Sequence, residues 1–415
     1  MKLKIIKGTN EIGGNCVELK TKNTTILIDY GKPLDYNDRQ IEITEKINAV
    51  LISHPHMDHF GAIEKLSNDI PIYCSKLSLE LMNAPKIFVE NKILDNNFKH
   101  FEKNKTFKIG DFKIIPYLVD HSSSDSFTFL IEADNKKVLY SGDFRNHGRR
   151  GKLFDILVKN KDIKNVDVLL MEGTMLKRSN DKFPTEKSVE NKISQIIEKN
   201  NQISFIICSS QNIDTITSAY RACKRNKKIF VVDFYTAWIL EKLKLVSDNV
   251  PNMSWNDVKI LKKYGGWYYE KIMEHKEYFG KFRHEVFNNI VEIKKIKENP
   301  SKYFFKIGVG HIQKLLEDNN IDKANIIYSQ WLGYLEEEYE KKEKIKIYRD
   351  LKEKYYWYYA HTSGHADLST LKKFAKALKP KILIPIHTEY KDEFKRHFDN
   401  VLVLDDGNSL DLNRK

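Results

Sequence analysis

The first 175 residues read as short apolar runs broken by turn material. KLKIIKG, NCVELKT and TTILIDYG form three successive strand patterns, with Gly13-Gly14 and Lys22-Asn23 between them. AVLISH, residues 49–54, is a nearly continuous apolar strand that stops at a cluster of histidines. FKIGDFKIIPYLV and FTFLIEADNKKVLYSGD repeat the theme, the second with Asp134-Asn135 as a hairpin turn, and VDVLLMEGT closes the series. Strands that end abruptly in polar residues are where chemistry is expected. The sheet fixes the strand end, while the loop beyond it is free to carry reactive groups.

From about residue 185 the rhythm changes to strand and helix in alternation. SVENKISQIIEK, IDTITSAYRACKRN and TAWILEKLKLVS read as helices, with ISFIICSS and KIFVVDFY as buried strands between them. Residues 255–300 read as helical and mixed in charge, NIIYSQW as a strand, and LEEEYEKKEKIKIYRDLKEK as a solvent-facing helix. KPKILIPIH, 379–387, is a strand that again ends on a histidine. Two architectures interleave, which predicts one core built from 1–174 and 341–415 and an inserted α/β domain over 175–340.

A chain of 415 residues, 41% hydrophobic, is large enough to bury two cores. Its four cysteines, Cys16, Cys74, Cys208 and Cys223, are far apart and form no CxxC, which argues against a disulfide framework and a cysteine-based zinc site and favours a reducing, cytoplasmic setting. The basic N-terminus lacks the apolar run of a signal peptide, and no stretch approaches the length needed to span a bilayer, so a soluble protein without membrane partners is expected. Seventy Lys+Arg against 57 Asp+Glu give a net charge of +13. That balance suits polyanions, but it becomes evidence only beside a site, since a lysine-rich composition gives it too.

The site begins in SHPHMDHFG, residues 53–61, which offers His54, His56, Asp58 and His59. On an extended or irregular loop, His54 and His56 project to one side while Asp58 and His59 project apart, so one loop can serve two ions. Imidazole and carboxylate donors suit Zn²⁺, and also Mn²⁺ or Fe²⁺. Four ligands cannot complete two coordination spheres. His121 after IIPYLVD, Asp143 in YSGDFR and His387 in LIPIHTE are the candidate partners, each following an apolar strand into a turn.

HPHMDH with His121, Asp143 and His387 downstream resembles the metallo-β-lactamase fold of metal-dependent hydrolases, over the first 175 and roughly the last 75 residues. The resemblance implies an αββα sandwich in which His54, His56 and His121 hold one metal, Asp58, His59 and His387 the other, and Asp143 bridges them. Asp29 in ILIDYG would buttress the metal loop. Two divalent ions about 3.5–4 Å apart, Zn²⁺ foremost and Mn²⁺ as alternative, can lower the pKa of a shared water and offset charge on a phosphoryl centre.

Glu172 in EGT, His365 in HTSGHA and His387 match the motifs of the β-CASP group, nucleic-acid-processing members of that fold with an inserted α/β domain. The SGHA form is similar to ribonuclease J, whose additional C-terminal domain is not expected here, and Thr388 stands where that family usually has glycine. Asp58, Glu172 and His365 are the catalytic candidates. His365 can serve the leaving group while Glu172 orients its imidazole, the alternative being that His365 caps a helix near Asp367. Ser363 and Gly364, and Ser209 and Ser210 with Gln211, are candidate phosphate cradles or ordinary caps.

The aromatic, lysine-rich stretch 262–284 reads equally as RNA contact or packing, while YYWYY at 355–359 reads as core strand. These residues predict a di-metal phosphodiester hydrolase acting on single-stranded RNA, with homo-oligomer formation left open. A small-molecule hydrolase of the same fold, acting on a lactone, thioester or cyclic nucleotide, is the competing enzyme. A non-catalytic nucleic-acid-binding protein is the competing class.

Overall fold

The alternating runs of the N-terminal part become two sheets, and those of the middle become a third. The computed structural model describes residues 1–34, 43, 46–178, 182–337 and 340–413. The chain divides into two compact units, one of Met1–Met82, Leu94–Phe183 and Gly364–Lys415, the other of Asn83–Ile93 and Pro184–Ser363.

In the first unit, β1 (Lys2–Lys7), β2 (Cys16–Lys20) and β3 (Thr25–Ile28) form an antiparallel meander. It continues in parallel through β4 (Ala49–Leu51), β5 (Ile72–Cys74) and β6 (Phe98–His100). The second sheet runs β7 (Phe107–Ile109), β8 (Phe112–Val119), β9 (Ser126–Ala133), β10 (Lys136–Tyr140) and β11 (Val168–Glu172), antiparallel except for the last pair. Asp134 and Asn135 both have positive φ, 51° and 55°, as a two-residue type I′ hairpin turn demands.

The second unit is one all-parallel sheet, β12 (Ile203–Ile207), β13 (Ile229–Val232), β14 (Val258–Leu261), β15 (Ile290–Val291), β16 (Tyr303–Lys306), β17 (Ala324–Tyr328) and β18 (Tyr356–Tyr359), in the order β15-β14-β13-β16-β12-β17-β18. The chain then returns to the first unit. There β19 (Ile382–Ile386) lies parallel beside β11, and β20 (Ser409–Asp411) antiparallel beside β1.

Alternation along the strands explains the layering of the first unit. Leu3, Ile5, Leu19, Ile26, Ile28 and Leu51 of one sheet and Ile114, Phe129, Ile131, Val138, Leu170 and Ile384 of the other fill one shared core. The opposite faces are covered by helical segments. Phe60, Ile63 and Met82 pack on Leu27, Val50 and Ile52, and Phe154, Leu371, Phe374 and Leu378 pack on Leu130, Leu139 and Leu169. This is the four-layer αββα sandwich that the resemblance implies.

Several elements differ from expectation. Residues 255–300, read as helical, contain β14 and β15, and β16 follows at once; VKIL and YFFK are too short for a period to register. The charged helix spans Lys342–Lys354 rather than starting at 335, and residues 338 and 339 of that stretch lie outside the described residues. Its Tyr348 and Leu351 pack in the core of the third sheet, and β18 pairs with β17, so 341–363 go with the second unit. YWYY is a strand, but an edge strand: Tyr356 and Tyr359 are 45% and 38% exposed. In 262–284, Phe279 and Phe282 are buried against Trp238, while Trp267 is exposed with Lys271 over its ring. All four cysteines are free and buried, and among the described residues no helix is long and apolar enough to cross a membrane.

Candidate metal centre

The ligand candidates of the first unit all leave the carboxyl ends of strands. Register Ile28↔Leu51 sets the ends of β3 and β4 side by side, so Asp29 and the Ser53-His54 loop emerge together. Register Glu172↔Ile386 does the same for Glu172 and His387. Asp143 follows β10 through Gly142, whose φ of +56° and close approach to the Phe127 carbonyl leave no room for a side chain. Asp58 and His59 sit on a single helical turn, Met57–Phe60, rather than on the extended loop expected. The ends of their side chains nonetheless approach, His59 Nε2 lying 3.8 Å from Asp58 Oδ2.

Three imidazoles meet on one side. His54 Nε2 is 3.1 Å and His121 Nε2 3.2 Å from His56 Nδ1. His121 gives its Nδ1 proton to the Gly364 carbonyl at 2.6 Å. Ser53 Oγ donates to Asp29 Oδ2 at 2.8 Å and accepts from His54 Nδ1 at 3.1 Å. The nitrogens that face inward from His54 and His121 therefore offer lone pairs. On the other side Asp58 Oδ2 lies 3.2 Å from His387 Nε2, and Thr174 Oγ1 lies 2.7 Å from His387 Nδ1. Asp143 stands between the groups, with Oδ2 3.2 Å from His59 Nε2, 3.6 Å from His54 Nε2 and 3.9 Å from His121 Nε2, and Oδ1 3.6 Å from His387 Nδ1.

This donor set fits divalent cations. His54, His56 and His121 form one group of close ligand atoms, and Asp58, His59, Asp143 and His387 a second. The Asp143 Oδ1 atom is buried without a hydrogen-bond partner, an acceptor with capacity left for a cation. His387 holds this position at φ +50°, in the left-handed region that non-glycine residues adopt at a cost.

The electrostatics divide the histidines. Burial, reinforced by neighbouring imidazoles, holds His54 and His121 well below the usual histidine range, and burial brings His56 down to about 4. Burial also opposes a charge on His59, but the carboxylates of Asp143, Asp29 and Asp58 outweigh it and raise His59 well above 6.5. Burial disfavours ionised Asp143, yet His387, His59 and His365 hold it well below the carboxylate range.

A pH effect on the metal-free protein follows. Below about pH 6.5 the unfolded chain protonates the equivalents of His54, His56 and His121, while the folded chain resists until about pH 4 at His56. The unfolded state then binds more protons, so folding stability falls as pH falls through this window. The raised His59 and His365 act above pH 6.5 and do not reverse the sign. In excess chelator the urea midpoint is expected to be lower at pH 4.5 than at pH 6.5; an unchanged or higher midpoint would contradict these assignments.

Glu172 and His365 adjoin the ligands. His365 Nδ1 lies 3.1 Å from Glu172 Oε2 and 3.7 Å from Asp143 Oδ2. Glu172 also accepts from the backbone N–H of Phe144 at 3.2 Å and of Thr174 at 3.3 Å, tying together the loops after β10 and β11. Asp367 itself caps the helix Leu368–Leu378 by accepting from Thr370 N, so the capping alternative for His365 does not hold. Burial lowers the His365 pKa, but the Glu172 and Asp143 carboxylates raise it overall. Its side chain is 20% exposed, whereas those of His54, His59, His121, Asp143, Glu172 and His387 are at most 2% exposed; Asp58, at 13%, and His56 are also partly exposed, so His365 is one of the groups that meet solvent.

Of the phosphate candidates, Gly364 adjoins this group through its carbonyl bond to His121. Ser363 is the last residue of the second unit. Ser209 Oγ accepts from Gln211 N at 3.2 Å, a local turn, and Ser210 Oγ is engaged by Thr236 Oγ1 and Lys306 Nζ at 3.0 and 2.9 Å. Sequence reasoning missed Ser53 and Thr174. Only the position of Thr174 in EGT, two residues after Glu172, hinted at a role.

Comparison with known proteins agrees with the fold of the first unit and with a metal-dependent hydrolase. A family described as "Beta-lactamase superfamily domain" matches residues 25–185, and "Zn-dependent metallo-hydrolase RNA specificity domain" matches residues 357–402. The chain is 30% identical over 254 residues to an RNase J-like protein of Methanocaldococcus jannaschii, covering 56% of this chain and 58% of that one. It is 24% identical to Ribonuclease J of Mycoplasma genitalium, covering 92% of this chain and 67% of the relative. With Ribonuclease J of Helicobacter pylori the figures are 24%, 99% and 61%. The chain thus spans about three fifths to two thirds of the length of these curated relatives. A crystal structure of a protein of unknown function from Enterococcus faecalis superposes with a TM-score of 0.75 over 99% of both chains at 16% identity, a likeness of fold.

Proposed function

We propose that this chain, which carries a β-lactamase superfamily domain and the RNA specificity domain of zinc-dependent metallo-hydrolases, is a two-metal phosphodiesterase that cleaves single-stranded RNA. The observation that carries the reading is the Asp143 carboxylate, buried and within 4 Å of His54, His59, His121, His365 and His387. His54, His56 and His121 would hold one ion, Asp58, His59 and His387 the other, with Asp143 shared. Bound zinc or manganese supplies a water acidic enough to ionise near neutral pH and positive charge against a phosphodiester.

The protein supplies the rest. Asp29 fixes the His59 ring through Nδ1 at 2.7 Å, and Gly364 fixes His121. Glu172 holds His365 by Nδ1, and the partly exposed ring stands where a departing oxygen can receive a proton. A net charge of +13 favours a polyanionic substrate. The names of the relatives support RNA over a lactone or thioester.

Incubation with a labelled single-stranded oligoribonucleotide in Zn²⁺ or Mn²⁺ is expected to give shortened products, with no turnover of a lactone or a thioester above background. Activity on the small esters with intact RNA would replace this reading by the small-molecule one. RNA binding without turnover in any metal would replace it by a binding protein.

A further inference from the structure

Tyr140 ends β10 in the core shared by the two sheets of the first unit, and it is fully buried. Its hydroxyl donates to Asp29 Oδ2 at 2.6 Å. Asp29 follows β3 in the opposite sheet, so this bond crosses the sandwich. The same Oδ2 accepts from His59 Nδ1 at 2.7 Å and Ser53 Oγ at 2.8 Å, while Oδ1 accepts from Ser53 N at 2.7 Å. Asp29 keeps this place at φ +59°, again in the left-handed region. Three residues beyond Tyr140 comes Asp143, whose Oδ2 is 3.2 Å from His59 Nε2. A closed circuit results, from Tyr140 through Asp29 and His59 to Asp143 and back along the chain.

We infer that Tyr140 is a positioning residue of the metal centre, its phenol fixing Asp29 and through it the ring of His59 relative to Asp143. The inference rests on the two-metal reading above. Hydrogen bonds to a carboxylate are the stronger kind, and a buried carboxylate stripped of one donor holds its remaining partners less firmly. Ligand orientation by such outer groups typically changes metal affinity by about 10–100-fold. The Tyr140 hydroxyl acts one bond further out than Asp29, which places its effect at the lower end.

The variant is Tyr140→Phe, which keeps the ring in the core and removes only the oxygen. Val138→Ala is the control, on the same strand and face and in the same core. Zn²⁺ affinity is measured by competition with a chromophoric chelator, alongside the urea midpoint of each metal-free protein. About a tenfold weaker affinity is expected for one equivalent in Tyr140→Phe, with unchanged stoichiometry at saturation, and wild-type affinity in Val138→Ala. Wild-type affinity in Tyr140→Phe would overturn the inference and leave the metal centre standing. Equal affinity losses in the two variants would make Tyr140 merely structural. A wild-type protein that binds no Zn²⁺ would overturn both the inference and the two-metal reading.

Discussion

Asp143→Asn is expected to lower RNA turnover by roughly 1,000-fold or more and to cost the protein tightly held metal, while the fold persists. The substitution is nearly isosteric, so the loss isolates charge. Asp143 is 2% exposed and lies against five histidines, His54, His59, His121, His365 and His387. Asp143 reaches His54 and His121 of one group and His59 and His387 of the other within 4 Å. An amide in its place keeps one oxygen donor but leaves a site of imidazoles with Asp58 as the remaining ionised ligand. Metal content by elemental analysis and turnover on the same preparation separate the two effects. Retained turnover with retained metal would remove Asp143 from the centre.

His365→Ala should behave differently. Turnover is expected to fall by roughly 100- to 10,000-fold, the span usual for a positioned acid or base, with metal content unchanged. His365 keeps a fifth of its side chain in solvent, and its nearest partner is Glu172, at 3.1 Å, ahead of Asp143 at 3.7 Å. Glu172→Gln should cost less, because Gln can still meet the backbone N–H groups of Phe144 and Thr174 while losing the charge that holds His365. If His365→Ala loses metal in proportion to activity, His365 is a ligand and not an acid.

Most of the proposed metal ligands were legible in sequence because they lie where an apolar strand stops, and such stops need only local pattern to be seen. What the pattern could not carry was contact through space. Tyr140 looks like one more apolar strand residue, and nothing near it in sequence says that Asp29 lies across the sandwich. The segment Asn83–Ile93 belongs to the second unit, where Phe88 packs on Tyr235, Tyr268 and Phe279, yet its composition matches the residues before it. The single helical turn of Asp58 and His59 was hidden because four residues make no period. Ser210 shows the same limit: it lies after a strand and before a helix, but its partner Lys306 comes from a strand almost a hundred residues later, a contact the local pattern does not carry.

The most direct test of the account is a titration of the metal-stripped protein with Zn²⁺ or Mn²⁺, following bound metal and cleavage of a 5′-monophosphorylated oligoribonucleotide together. The two clusters built around Asp143 predict no cleavage in excess chelator and activity that rises with metal to a plateau near two equivalents per chain. Cleavage that persists undiminished in chelator, or a fully loaded protein that leaves the RNA intact, would contradict it.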